Sequence, residues 1–131
     1  MERMNLFVDC DETLVFWENP LLPYQGDLIL NVALVDVLTE GIEKGFYKVT
    51  IWSAGGKYWA EQVNGILFGE YNLPSASKWQ MFDKIPENSY AIDDRKQEDR
   101  EYLQRFVEVF SPEEFIQNAE IFKKNPEWLT E

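Results

Sequence analysis

The chain has no histidine among its 131 residues and a single cysteine, Cys10. Without histidine, Ser-His-Asp hydrolysis, Cys-His proteolysis and histidine-bound zinc are all excluded. One thiol excludes an internal disulfide. It also leaves oxygen atoms as the working metal ligands, the set that suits magnesium, calcium or manganese. Basic residues are scarce: 12 Lys and Arg stand against 24 Asp and Glu, a formal net charge of −12. A surface of that sign disfavours binding along extended nucleic acid. A metal and one lysine can still reverse the field inside a cleft, so a phosphorylated substrate stays open. No apolar run approaches the roughly 20 residues of a membrane helix. Met1–Asn5 lacks the long apolar segment and small-residue cleavage site of a signal peptide. The expectation is a soluble cytoplasmic domain with no membrane contact.

What is present is enough for a core. Hydrophobic residues make up 45% of the chain and aromatics 15%, which suits one packed domain over residues 1–131. Met4–Val8 reads as a buried strand stopping at Asp9. Leu14–Asn31 holds Pro20, Pro23 and Gly26 and reads as a loop or short hairpin. Val32–Lys44 carries apolar residues at helical spacing, with Gly45 as its stop. Tyr47–Trp52 is β-branched and aromatic, ending at Ser53-Ala54-Gly55-Gly56, and Lys57–Glu70 reads as a helix. Trp79–Phe82 is the expected third strand, Ser89–Ile92 the fourth, Arg95–Arg105 a charged helix and Val107–Phe110 the last strand. Ser111, Pro112 and Glu114 then spell a capping box opening a helix. Strands alternating with helices predict a doubly wound, mainly parallel five-stranded α/β sheet with helices on both faces.

In such sheets ligands bind beyond the carboxyl ends of the strands. Those ends deliver Asp9 and Asp11, then Ser53, then Lys84, then Asp93 and Asp94. The segment Asp9-Cys10-Asp11-Glu12-Thr13 is DxDxT, which alone is also ordinary turn chemistry. An EF-hand loop would need glycine sixth and glutamate twelfth, where Leu14 and Pro20 stand. A receiver-type signalling domain would need its phospho-accepting aspartate after the third strand, and no middle strand here supplies one.

The order DxDxT, strand-end Ser, Lys, acidic pair resembles the haloacid dehalogenase superfamily of phosphohydrolases. It is carried by LFVDCDETLV, KVTIWSAGG, a lysine before the fourth strand, and YAIDDR, and it spans roughly the whole chain. Both customary cap insertion points hold only short segments, so the resemblance is to the capless members. It implies a magnesium-dependent phosphatase that hydrolyses a phosphate monoester through an aspartyl-phosphate. Asp9 would be the nucleophile and Asp11 the acid and base. Ser53 would donate to a phosphoryl oxygen and Lys84 would neutralise charge. Asp9, the Asp11 carbonyl, and Asp93 or Asp94 would hold Mg2+. Lys78 is the rival lysine if Lys78–Phe82 is helical.

Several of these residues have plainer readings. Thr13 reads as loop support. Trp17, Trp52, Tyr58 and Trp59 could wall a substrate entrance, but aromatics in a short chain more often pack core or hairpin. Cys10 reads as buried filler, and Arg95 as part of a solvated helix face. The competing function is a catalytically weak phosphate- or partner-binding module on the same fold. The implied substrate is a phosphorylated molecule, small or macromolecular, with a terminal phosphate on a short strand among the candidates.

Overall fold

The computed structural model describes residues 3–18, 27–78, 85–86, 88–94, 103–105 and 107–124. Its strands are β1 (Met4–Asp9), β2 (Val15–Trp17), β3 (Leu28–Leu30), β4 (Tyr47–Ser53), β5 (Ser75–Ser77), β6 (Ser89–Ile92) and β7 (Glu108–Phe110). The described helices are α1 (Val32–Glu43), α2 (Lys57–Phe68) and α3 (Pro112–Lys124). Five strands form a sheet in the order β5-β4-β1-β6-β7, and every pairing in it is parallel. Relative to β1, the chain first builds outward through β4 to β5, then returns to the other side for β6 and β7. The order therefore reverses between β1 and β6, which is where a parallel sheet opens a crevice at its carboxyl ends.

Side chains alternate along each strand, and the alternation sorts them into two cores. Leu6, Val8, Val49, Ile51 and Ile92 pack on one face with Leu34 and Leu38 of α1, Ala60, Val63 and Phe68 of α2, and Phe115 of α3. Phe7, Trp52 and Ala91 turn to the other face and meet Leu103, Val107 and Val109. Each fully buried aliphatic or aromatic side chain contributes about 1.5–3 kcal/mol of hydrophobic stabilisation. All three described helices thus serve one face. The expected helix at Arg95–Arg105 falls mostly outside the described residues.

Local signals explain the element ends. Asn31 caps α1 through its Oδ1, which accepts from Leu34 N at 3.2 Å, and its Nδ2 donates to the Thr13 carbonyl at 3.0 Å. One side chain therefore starts the helix and ties it to the loop after β1. Gly45, at φ 77°, stops α1 as expected, since glycine takes the left-handed conformation at no steric cost. At α3 the capping box is formed: Glu114 N reaches Ser111 Oγ at 3.1 Å and Ser111 N reaches Glu114 Oε1 at 3.4 Å. The Leu14–Asn31 segment contains a hairpin, with β2 and β3 pairing antiparallel from Val15↔Leu30 to Trp17↔Leu28.

The third strand of the sheet is Ser75–Ser77, paired with Ile51–Ser53. The expected position, Trp79–Phe82, lies outside the described residues. Among the described residues, the strand paired with β4 is followed by Lys78.

Candidate functional site

The first loop is wound around one carbonyl. The amide groups of Thr13, Leu14 and Val15 all point at the Cys10 oxygen, at 3.3, 2.9 and 3.1 Å. To close this turn Glu12 adopts φ 63°, a left-handed conformation that costs a non-glycine residue about 1–2 kcal/mol. The winding brings Thr13 back over the end of β1. Its hydroxyl accepts from Asp94 N at 3.1 Å and donates to Asp9 Oδ2 at 3.5 Å. Thr13 is fully buried and clasps the ends of β1 and β6, a firmer version of the loop support read from sequence.

Asp9 is 4% exposed and Asp93 2%. They stand side by side, because Val8 pairs with Ile92 and each aspartate is the next residue. Lys78, directly after β5, forms an ion pair with Asp93 in which both side chains are 1% exposed. Its Nζ also lies 5.9 Å from the Trp52 ring centroid. Burying an ammonium and a carboxylate costs several kcal/mol per ion before their attraction is counted, so the pair is an expensive feature. Lys84, the expected lysine, lies outside the described residues. Lys78, its rival, is the lysine that the described strands bring to Asp93.

Ser53 ends β4 and is buried. Its Oγ accepts from Gly55 N at 2.9 Å, which fixes the hydroxyl and leaves its proton for donation. Gly56 follows at φ 109°, the conformation that lets α2 start immediately behind the serine. Asp11 is half-buried, and its Oδ1 accepts the indole N–H of Trp59 at 3.1 Å. Trp59 in turn stacks on Trp17, with centroids 5.7 Å apart and planes 18° from parallel. The sequence reading placed Trp59 near the site without assigning it a contact. Trp52 belongs to the core, and Tyr58 is exposed.

The electrostatics separate two kinds of group. Burial, and then the charges of Asp9 and Asp11, push the Cys10 thiol far up despite Lys78. Cys10 therefore stays protonated, donating to the Trp52 carbonyl, and is neither nucleophile nor thiolate ligand. Asp94 is exposed at the rim, and its carboxyl is raised by partial desolvation and by the neighbouring charges of Glu113, Glu12 and Asp93. Three acidic neighbours therefore stand close enough to Asp94 to disfavour its charged form. Among the described residues no group of three or more acid or cysteine side chains could hold a metal ion by itself. No described helix is long and apolar enough to cross a membrane.

Asp9, Ser53, Lys78, Asp93 and Asp94 thus lie at or just beyond the carboxyl ends of four adjacent strands, with Asp11 and Thr13 in the loop after the first. Comparison of the chain with family models, with curated proteins and with solved structures gave no match.

Proposed function

We propose that the chain is a phosphatase that hydrolyses a phosphate monoester through an aspartyl-phosphate on Asp9, with magnesium as its cofactor. The observation that carries the reading is the buried Lys78–Asp93 ion pair beside Asp9 at the point where strand order reverses. Charge buried at that cost, at the edge where parallel sheets bind ligands, is better explained by chemistry than by stability.

The donor set fits magnesium. Every available ligand is a hard oxygen, and a bound cation would offset the acidic neighbours Glu113, Glu12 and Asp93 that, after desolvation, disfavour the charged form of Asp94. Asp9, the Asp11 main-chain carbonyl, and Asp93 or Asp94 would hold the ion. That is few enough protein ligands for a metal that keeps several waters, and it needs no three-carboxylate cage. When bound, magnesium offsets the repulsion between the Asp9 carboxylate and the phosphoryl oxygens.

The chain's own residues supply the rest. Asp9 attacks phosphorus, held in place by the Thr13 hydroxyl. Ser53 donates its remaining proton to a phosphoryl oxygen. Lys78 balances Asp93 and lowers the cost of charge gathering at phosphorus. Asp11 protonates the departing oxygen and then takes a proton from the water that hydrolyses the intermediate. The family resemblance, the capless form and a cytoplasmic setting belong to this proposal as well.

The test is release of phosphate from an aryl phosphate. Turnover should need magnesium, stop on chelation and resume when magnesium is restored, with zinc a poorer substitute. Asp9→Asn should remove turnover and leave the fold intact. Equal turnover by Asp9→Asn would overturn the covalent mechanism, and none by wild type across a panel of phosphate esters would favour a phosphate-binding module.

A further inference from the structure

Trp59 is the third residue of α2, and it faces the loop after β1 across 48 positions of sequence. Its indole N–H goes to Asp11 Oδ1, the carboxylate that the phosphatase reading needs for proton transfer, rather than to a main-chain carbonyl. An indole nitrogen donates only and does not exchange roles. With Oδ1 engaged by that donor, Oδ2 is the oxygen left to take part in proton transfer. The indole plane is itself fixed from the other side, because Trp17 of the β2–β3 hairpin stacks flat against it. Two elements that contribute no acid or base of their own therefore converge on the orientation of one carboxyl group.

We infer that Trp59 is a positioning residue for Asp11, setting the carboxyl rotation so that Oδ2 meets the leaving oxygen, with Trp17 bracing the indole. This rests on the phosphatase reading. In the first step the Asp9–phosphorus bond forms as the bond from phosphorus to the ester oxygen breaks, and the proton on Asp11 Oδ2 passes to that oxygen, releasing the alcohol. In the second, water adds to phosphorus and the Asp9–phosphorus bond breaks. The water proton returns to Oδ2, so inorganic phosphate leaves and Asp11 is restored. Orientation of Oδ2 matters most where the leaving oxygen is a strong base. An alkyl phosphate requires protonation of its alkoxide as the bond breaks, whereas para-nitrophenolate, a weak base, leaves with little help.

Trp59→Phe keeps a ring to stack on Trp17 and removes the N–H, and Trp59→Leu is a second donor-free variant should phenylalanine unsettle α2. Measured as kcat/KM, which reports the steps up to release of the alcohol, the variant should lose about tenfold on the alkyl ester and under threefold on the nitrophenyl ester. That is a modest share of the roughly 10²–10⁴ that general acids supply. Equal losses on both esters, or none on either, in a folded variant would overturn the positioning role. A second readout is independent of turnover. In a nitrogen-edited proton spectrum, the indole peak absent from Trp59→Phe should move upfield in Asp11→Ala. An unmoved peak would overturn the contact. Wild type inert toward both esters would overturn the phosphatase reading and the catalytic meaning of the contact together, while the indole peak would still report the contact itself.

Discussion

The two ends of the short edge strand β5 bury polar side chains in different ways. At its amino end, Asn64 of α2 donates to the Leu73 carbonyl at 2.7 Å and to Ser75 Oγ at 2.8 Å. The group is neutral, and what it does is hold α2 against the strand. At the carboxyl end, Lys78 carries a full charge into a dry environment and meets it with Asp93 from the far side of β1. Neutral hydrogen bonds of the first kind add about 1 kcal/mol each to stability, while ion pairs of the second kind often add nothing over an apolar replacement. The same strand therefore separates architecture from chemistry. On the phosphatase proposal, the amino edge of the sheet should answer mutation in stability alone, and the carboxyl edge in activity as well.

The sharpest break of that contrast is at Lys78. Lys78→Met takes from the buried Asp93 the ammonium it pairs with and should cost about 3–5 kcal/mol in chemical unfolding. The double variant Lys78→Met with Asp93→Leu should recover most of that stability and none of the phosphatase activity. Recovery of both would return the pair to architecture. Asn64→Ala comes next, because it leaves the partly buried Leu73 carbonyl without its side-chain donor. It should lose about 1–3 kcal/mol with unchanged turnover per folded molecule.

Gly41→Ala tests the amino edge again. A Cβ there would sit 2.1 Å from the Tyr47 ring, so the ring must move, at a cost of about 1–3 kcal/mol and with no change in kcat. The smallest effect is at Glu12, on the carboxyl edge. Glu12→Gly relieves the left-handed backbone and should gain at most about 1 kcal/mol in thermal unfolding. A loss there would mean that the loop after β1 is held by the Glu12 side chain rather than by the three amides on Cys10.

Much of this was legible in the chain. β1, β4, β6 and β7 are mostly apolar because side chains on both of their faces meet the two cores, and acids and a serine follow where the pattern breaks. Gly45 and the Ser111–Glu114 box announced their helix ends through chemistry local to each. β5 was not legible. Ser75-Ala76-Ser77 has no apolar run, since an edge strand of three residues depends on pairing with β4 and on Asn64, both remote in sequence. Trp79–Phe82 and Lys84 lie outside the described residues, while the strand at Ser75–Ser77 is followed by Lys78. The Asn31 tie to Thr13 and the Trp59 bond to Asp11 were hidden for the same reason: each joins residues that only the folded topology brings together.

The central claim is that Asp9 carries the phosphoryl group. Wild type mixed with magnesium and a phosphate ester, then quenched with borohydride during turnover, should have its acyl phosphate reduced, and peptide mass analysis should find homoserine at position 9. The modification should be absent without substrate and absent in Asp9→Asn. Rapid magnesium-dependent phosphate release with Asp9 unmodified, or with the reduced residue at another aspartate, would contradict the account.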